Sequence, residues 1–418
     1  MPYLSSMKPF PLLPTIGTFP PEHIVGRKED IIKLVHLLRA QSVSIEEMRR
    51  MGKTLLVKKL EYLCNTDQLP GDFGKDQFRA KYFSFQGKKN LGEVIDAILI
   101  GLKEFKTWYH IDFKRTYDFI RGLMATPKVE VGGASFTVNL PEYQRSWKKI
   151  FFQALEEIAS AQEKASSTLI LIFDELPIML WEWYKENKHE DAIELLDILR
   201  ERRQELEKQG IRFVYCGSIG IKVVLNRFKT ELKYTGEPTN DMLEISLKPF
   251  NQEDADFLCE CFFLADFKVN PTEKQQCVAL IFQLSDGLPF YISQLFLLLM
   301  QEFNREVTEN TIKAAFNILL NDSKHHNAFQ QLVDRLHIYY SEQQCQDMTV
   351  ILNFLAQQDD FISEGDIHQA VSIDNKGHLN ECLYTLLSDH YLERKTDSGR
   401  MYRFRYPIFK TWWKINKT

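Results

Sequence analysis

The residues best suited to chemistry in this chain form two short runs, and the first is Gly52-Lys53-Thr54. It follows a short apolar segment and opens a segment with helical periodicity. A helix N-terminus presents free N–H groups to an anion, glycine permits close backbone approach, and lysine adds a positive charge. The threonine hydroxyl is a ligand suited to magnesium. This run therefore predicts a phosphate-binding loop, and a chance surface Gly-Lys-Thr is the ordinary alternative.

The residues around this run extend the predicted phosphate site and contain one departure from the usual pattern. A P-loop ordinarily has a glycine five positions before the glycine that precedes its lysine, and this chain has Glu47 there. A side chain restricts the backbone at that point, and a carboxylate repels phosphate. Arg49 and Arg50 either contact phosphate or form a solvated pair beside the loop. The residues expected to contact nucleotide are Arg50, Met51, Gly52, Lys53, Thr54 and Leu55.

The second run is Asp174-Glu175, which ends the apolar segment from Leu169 to Phe173. Such a segment is typical of a central strand that is buried on both faces. Open α/β sheets place their ligands at the carboxyl ends of the strands. We therefore expect Asp174 to hold magnesium together with Thr54, and Glu175 to orient or deprotonate an attacking water. The alternative is a strand followed by a solvated acidic turn.

Short apolar strands alternate with helical patterns through residues 22–250, which predicts a parallel sheet covered by helices. The predicted strands are 43–45, 80–84, 169–173, 213–216 and 242–247. The predicted helices are 53–63, 91–105, 143–163, 191–209 and 221–226. Ser218 follows one of these strands, and a small polar residue there can sense the γ-phosphate if the strand lies beside the acidic one. An ordinary turn at the end of a strand is the alternative.

The chain divides into four parts. Residues 1–21 contain several prolines and are expected to form an extended lead-in that docks on the core domain, residues 22–250. Helical periodicity within residues 251–322 predicts a small all-helical domain. Residues 323–418 have the order of a winged helix, which is three helices, a hairpin over 391–406 and a closing helix.

Composition limits the range of partners. The net charge is -5 and the pI is about 6.1, so any contact with nucleic acid has to be local. The longest apolar runs are too short to cross a bilayer, which predicts no membrane partner. Seven scattered cysteines and an N-terminus without a signal-peptide pattern predict a reducing, cytoplasmic location.

Several further motifs occur in a characteristic order with the two runs. They are Val25-Gly26-Arg27, the loop 49–54, Asp174-Glu175-Leu176-Pro177, Gly217-Ser218, Gly287-Leu288-Pro289, and the segment 402–407 with Trp412-Trp413. In this order they resemble the STAND-type branch of AAA+ P-loop ATPases, close to the archaeal and bacterial ATPase group that is related to origin-recognition-like ATPases. The resemblance spans about residues 22–418. It implies an α/β fold, with a P-loop AAA+ core built on a parallel sheet, followed by a helical lid and a C-terminal winged-helix domain.

The resemblance also implies roles for individual residues. Val25 and Arg27 are expected near the adenine, and Pro289 is expected to close the base pocket from the lid. Members of this group often have another residue in place of the first P-loop glycine, and Glu47 lies at that position. The implied cofactors are ATP and Mg²⁺. The expected catalytic residues are Lys53, Glu175 and Ser218.

Three functions are compatible with these features. The first is a slowly hydrolysing ATP switch that recruits a protein partner or oligomerises. The second is an origin-recognition-like or transposition-helper DNA-binding ATPase, and the third is a nucleotide-binding scaffold that has lost hydrolysis. The DNA contacts expected for the second are Lys395, Arg403 and Arg405. A hairpin predicted over 128–138 either contacts DNA or a neighbouring subunit, or is a surface hairpin without a partner. Candidate arginine fingers are Arg202, Arg203 and Arg227.

Overall fold

The structure is a computed structural model that describes most of the chain. The described residues are 8–15, 19–70, 73, 77–109, 113–116, 118, 140–165, 167–217, 219–325, 327–373, 375–396 and 399–418. The predicted hairpin over 128–138 and Ser218 lie outside these residues. Among the described helices, none has both the length and the apolarity needed to cross a membrane. All seven cysteines are buried, with free thiols.

The core domain is built on a five-stranded parallel sheet with the strand order β2-β3-β4-β1-β5. The strands are β1 (Val43–Ile45), β2 (Phe78–Ser84), β3 (Thr168–Asp174), β4 (Ile211–Cys216) and β5 (Leu243–Ile245). Successive residues of β3 pack into different hydrophobic clusters: Leu171 joins one cluster, and Ile172 joins the other. The strand is therefore buried on both faces, as its uninterrupted apolar sequence predicts.

Helices cover the two faces of the sheet. The hydrophobic cluster on one face includes residues of the helices α1 (Lys28–Leu38) and α2 (Lys53–Asn65). The cluster on the other face includes residues of the helices that follow in the core domain. These are α3 (Leu91–Tyr109), α4 (Leu140–Ala165), α5 (Leu176–Lys185), α6 (His189–Leu206) and α7 (Ile221–Glu231).

The register of the sheet brings the carboxyl ends of the strands into line. Ile45 pairs with Cys216, Cys216 pairs with Asp174, and Asp174 pairs with Ser84. The loops that follow β1, β3 and β4 therefore leave the sheet at the same edge. This alignment places the two chemically suited runs of the sequence next to each other.

The lid and winged-helix domains follow the core. The lid helices are α8 (Gln252–Phe263), α9 (Lys274–Ser285), α10 (Pro289–Glu302) and α11 (Glu309–Asn321), with the short strands β6 (Lys268–Val269) and β7 (Glu306–Val307). The winged-helix domain has α12 (Asn327–Tyr339), α13 (Glu342–Ala356), α14 (Glu364–Ala370), α15 (Lys376–Ser388) and α16 (Pro407–Asn416). Its three-stranded sheet contains β8 (Ile362–Ser363), β9 (Leu392–Lys395) and β10 (Met401–Phe404) in the order β8-β10-β9. The predicted fold class is confirmed.

The N-terminal segment was expected to dock on the core domain, and it contacts both that domain, where the ring of Phe10 lies 4.9 Å from the ring of His23, and the lid. The amide of Leu12 donates to the carbonyl of Cys261 over 3.0 Å. Leu12 is buried in the cluster that also contains Leu258 and Phe262 of the lid. Burial of its apolar side chain among these residues removes it from water, which is the physical reason for the contact.

Most predicted elements differ from the observed ones by a few residues at their ends, and helix α7 and strand β5 are two examples. Helix α7 continues past Asn226 to Glu231, because Phe228 is also buried against the core. Strand β5 is shorter than the predicted 242–247 and covers only three residues at the edge of the sheet.

Candidate functional site

A cavity of about 580 Å³ lies between the carboxyl edge of the sheet and the lid. It receives the loop after β1, the end of β3 and the start of α10. The expected site residues that line it are Val25, Arg50, Gly52, Lys53, Thr54, Leu55, Glu175 and Pro289. The fold thus brings together residues that are widely separated in the chain.

Gly52 forms the N-cap of α2 in the left-handed backbone region, with φ of 85°. Glycine adopts this conformation without steric cost, whereas a residue with a Cβ does not. Helix α2 therefore begins at Lys53 with its N-terminus at the cavity. The free N–H groups and the positive end of the helix dipole suit this point to an anion.

The ammonium of Lys53 lies inside the loop that precedes α2. Its Nζ donates to the carbonyl oxygens of Glu47, at 2.5 Å, and Met48, at 2.6 Å. Burial lowers the pKa of Lys53 to about 8, and the charge of Glu47 acts in the opposite direction. A bound anion would favour the charged form, so this lysine is suited to phosphate.

Asp174 accepts four hydrogen bonds at the end of β3. Its Oδ2 accepts from the hydroxyl groups of Thr54 and Tyr82, each at 2.8 Å. Its Oδ1 accepts from the amide of Glu175 and from the thiol of Cys216, each at 3.0 Å. These uncharged donors hold the Asp174 carboxylate in one orientation, and none of them supplies a counterion for its negative charge.

Thr54 and Asp174 present two oxygen ligands side by side. Magnesium prefers hard oxygen ligands and is usually bound by one or two protein groups together with water and phosphate oxygens. The described residues contain no group of three or more His, Cys, Asp and Glu side chains arranged for a metal. The pair therefore fits an ion that shares its coordination with a bound phosphate rather than an ion enclosed by protein.

Glu175 reaches the cavity from the N-cap position of α5, with a left-handed φ of 60°. Glu175 lies beside Gly217. A Cβ added to Gly217 would lie 2.7 Å from Pro177 Cδ. The turn after β4 therefore needs glycine for its close approach to the start of α5. Ser218, the next residue, was expected to act in catalysis and remains a prediction.

Several residues that line the cavity are apolar. Val25 and Pro289 line it, together with Phe250 and Phe290. The N-terminal segment adds Leu12 to the same wall. Apolar and aromatic side chains suit a planar aromatic base, and contact with the base was the expected role of Val25 and Pro289.

Arg27 does not line the cavity, although it was expected near the base. Its guanidinium donates to the carbonyl of Met51 and to the carbonyl of Lys248, each at 2.5 Å. It also forms an ion pair with Asp30 at 2.8 Å and lies over the ring of Phe250. Arg27 thus connects the end of the phosphate loop to the segment that leads into the lid. Met51 is likewise buried away from the cavity and contributes its backbone carbonyl.

The candidate arginine fingers are already engaged within the chain. Arg203 is fully buried and pairs with Asp241. Arg202 lies over the ring of Phe152 and pairs with Glu205 at 2.8 Å. Arg227 pairs with Glu231 and donates to the carbonyl of Tyr339.

The three expected DNA contacts are not equivalent. Lys395 and Arg403 are exposed, and Arg403 pairs with Glu393. Arg405 was expected to contact DNA together with Arg403, but its guanidinium is engaged within the chain. Arg405 is partly buried, and its guanidinium pairs with Glu47, 2.8 Å away.

Sequence reasoning missed several residues of the site. Tyr82 was part of a predicted strand, and no local pattern marks its hydroxyl as a partner of Asp174. The same holds for Cys216, which was assigned only to a strand, and for Leu12 in the N-terminal segment. The pairing of strands and the packing of domains determine these contacts.

Comparison with known proteins gives similarities to solved structures only. The chain matches no known protein family and no curated protein. The Aeropyrum pernix ORC2 protein (ADPNP-ADP complexes) is 15% identical over 96% of each chain, with a TM-score of 0.49. The Aeropyrum pernix ORC1 protein in complex with DNA is 9% identical over 94% of this chain and 93% of that chain, with a TM-score of 0.35. The Thermotoga maritima RuvB Holliday junction branch migration motor is 11% identical over 90% of this chain and 92% of that chain, with a TM-score of 0.36.

These values are too low to transfer an activity, so the class of the protein rests on its own topology. The chain combines a parallel sheet with a glycine-lysine-threonine loop that follows β1 and opens α2. An acidic pair follows at the end of β3, which is separated from β1 in the sheet by β4. A helical lid and a winged-helix domain follow. This is the α/β P-loop architecture with lid and winged helix that the sequence predicts.

Proposed function

We propose that this chain is a STAND-type nucleotide switch that binds ATP with magnesium between core and lid and hydrolyses it slowly. One observation carries the proposal. The hydroxyl of Thr54 lies 2.8 Å from the carboxylate of Asp174, at the N-terminus of the helix that also carries Lys53. The site therefore brings together a helix N-terminus suited to phosphate, a lysine, and two oxygen ligands suited to magnesium.

Each side chain has a chemical role in this proposal. The helix N-terminus and Lys53 bind the phosphates, and Lys53 exchanges its two loop carbonyls for phosphate oxygens. Thr54 and Asp174 would hold magnesium, which neutralises phosphate charge when bound. Glu175 orients the attacking water and accepts its proton. Ser218, which follows β4 in the sequence, has the proposed role of sensing the γ-phosphate.

The lid gives the site a route to the winged-helix domain. Arg50 lines the cavity, lies over the ring of Phe290 and donates to the carbonyl of Asn327 at the start of α12. A change in nucleotide state at Arg50 can therefore alter how α12 packs. The proposed output is a conformation that recruits a protein partner or a second copy of the chain.

The test is nucleotide binding and ATP turnover by the purified chain, with and without DNA. Lys53→Ala is compared with wild type and with Lys313→Ala, a matched change in an exposed pair on α11. We expect Lys53→Ala to lose binding by about 100-fold, because it removes the charge-assisted phosphate contact, and Lys313→Ala to retain it. Identical binding and turnover by wild type and Lys53→Ala would overturn the proposal.

Further outcomes separate the proposed switch from the two alternatives. Turnover stimulated by DNA would favour a DNA-binding ATPase, for which Lys395 and Arg403 remain the exposed candidates. Nucleotide binding without turnover, unchanged by Glu175→Gln, would favour a scaffold that has lost hydrolysis. Nucleotide-dependent oligomers without an effect of DNA would favour the switch.

A further inference from the structure

The carboxylate of Glu47 is buried at the position where a P-loop ordinarily has glycine. Its backbone carbonyl accepts from Lys53, whereas its carboxylate accepts from the amide of Met48 over 3.0 Å. A buried carboxylate is stable only when charged partners or hydrogen bonds compensate it. Burial raises the pKa of Glu47, and the charge of Arg405 acts against that rise. The largest compensating charge thus comes from outside the core domain, and Lys53 adds a smaller one.

Arg405 contacts three groups around Glu47. Its Nη2 donates to Glu47 Oε2 at 2.8 Å, its Nη1 lies 2.8 Å from His390 Nδ1, and its Nε donates to Tyr406 Oη at 3.1 Å. All three nitrogens of the guanidinium therefore have a partner. Such a guanidinium has little freedom to leave the carboxylate.

His390 contributes as a neutral acceptor. Burial lowers its pKa to about 3, and the positive charge of Arg405 acts in the same direction. The ring is therefore uncharged at neutral pH, and Nδ1 can accept a hydrogen bond from Arg405. The 3.8 Å separation of His390 Nδ1 and Glu47 Oε1 is accordingly not an ion pair, and Arg405 is the cation that Glu47 meets.

The position of Arg405 depends on the docking of the winged-helix domain. Its amide donates to the carbonyl of Tyr391, which fixes the end of the hairpin. Three residues later, the amide of Ile408 donates to the Asp286 carboxylate of the lid at 2.6 Å. The guanidinium is thus placed by contacts within the hairpin and between the winged-helix domain and the lid.

We propose that Arg405 is a positioning residue of the phosphate site, supplied by the winged-helix domain to neutralise Glu47. The proposal rests on the proposed function, because it concerns how that site tolerates a carboxylate in its loop. With Arg405 in place, the loop presents the charge of Lys53 to a phosphate without an uncompensated negative charge beside it. The site is complete only while the hairpin is docked.

The test is a double-mutant cycle read out as the dissociation constant of a fluorescent ADP. Arg405→Gln is expected to weaken binding about tenfold, because Glu47 then repels phosphate. In a Glu47→Gln background, the same change at Arg405 is expected to alter affinity by less than about threefold, because no charge remains to be neutralised. Arg400→Gln is the matched control, since Arg400 is exposed in the same hairpin and pairs with Glu364, and this variant is expected to bind ADP as wild type does.

Several outcomes would overturn this inference. Tighter binding by Arg405→Gln would show that the hairpin inhibits the site, and an equal loss in both backgrounds would show a structural role only. If Arg405→Gln does not fold, Arg405→Lys keeps the charge but not the three contacts. Arg405→Lys is then expected to weaken ADP binding about threefold in the wild-type background and not in the Glu47→Gln background.

The same data separate this inference from the proposed function. Normal binding by Arg405→Gln, with Lys53-dependent binding by wild type, would refute the role of Arg405 and leave the nucleotide site standing. Absence of nucleotide binding by wild type would refute the proposed function and this inference together.

Discussion

Glu47 and Asp174 are both buried carboxylates at the carboxyl edge of the sheet, but their partners differ. Asp174 accepts from two hydroxyls, one thiol and one amide. Glu47 forms an ion pair with Arg405, which belongs to the last domain of the chain. Neutral donors orient a carboxylate and leave its charge for a cation, whereas an ion pair uses that charge. Burial at the edge of the sheet therefore does not by itself identify a metal ligand.

Asp174→Asn is expected to have the largest effect of the variants that distinguish these two carboxylates. The amide keeps the size of the side chain but removes the charge, so magnesium-dependent turnover should fall at least about 100-fold. Nucleotide affinity measured in EDTA should stay close to that of wild type. Turnover with a magnesium titration is the measurement, and Asp256→Asn on the exposed face of α8 is the control. Undiminished turnover by Asp174→Asn would show that this carboxylate is not the metal ligand.

A smaller effect is expected from Tyr82→Phe, which removes one of the neutral donors to Asp174. Loss of a group that orients a metal ligand typically costs about tenfold in metal affinity or activity. We expect kcat to fall by about tenfold with little change in the KM for ATP. Tyr384→Phe, at an exposed tyrosine, is the control. A rise in KM without loss of kcat would contradict an orienting role.

Glu47→Gln should affect stability, because it leaves Arg405 without its anion. Arg405 is partly exposed, at 23%, so solvent compensates some of the loss. We expect the free energy of unfolding to fall by about 1 kcal/mol. Denaturant unfolding monitored by tryptophan fluorescence checks this, with Glu309→Gln in an exposed pair as the comparison. Equal stability of wild type and Glu47→Gln would mean that the ion pair contributes nothing net.

The last effect concerns pH. Lys53 has a pKa near 8 and, in the proposed site, would bind phosphate in its charged form, so affinity for a non-hydrolysed ATP analogue should fall as pH rises through about 8. The decline should approach tenfold per pH unit at its steepest. Glu47 raises the pKa of Lys53, so Glu47→Gln should move the midpoint of this decline to lower pH.

Lys59 also has a pKa near 8 and provides the control for this profile. It holds the carbonyls of Ile24 and Gly26 and does not line the cavity. Lys59→Gln should therefore keep the same midpoint as wild type. If the midpoint of the pH-dependent decline shifts in Lys59→Gln and not in Glu47→Gln, Lys53 is not the source of the pH dependence.

Local patterns in the sequence determined much of the fold and part of the site. The apolar run through Phe173 required a strand buried on both faces, because none of its side chains favours contact with water. Gly52 and Lys53 marked the start of α2, because glycine permits the left-handed N-cap that opens the helix. The order of these elements then predicted that the two runs meet at one edge of the sheet.

Tertiary structure alone decided which polar groups act together. The hydroxyl of Tyr82 reaches Asp174 because β2 and β3 pair in one particular register, which no local spacing encodes. Arg27 faces Met51 and Lys248 rather than the cavity, since its direction depends on how the lid segment packs. Glu47 looked like a defect in the loop because its partner, Arg405, is distant in the chain and arrives only when the winged-helix domain docks. Long-range packing, and not residue type, determines the charge that a phosphate would meet.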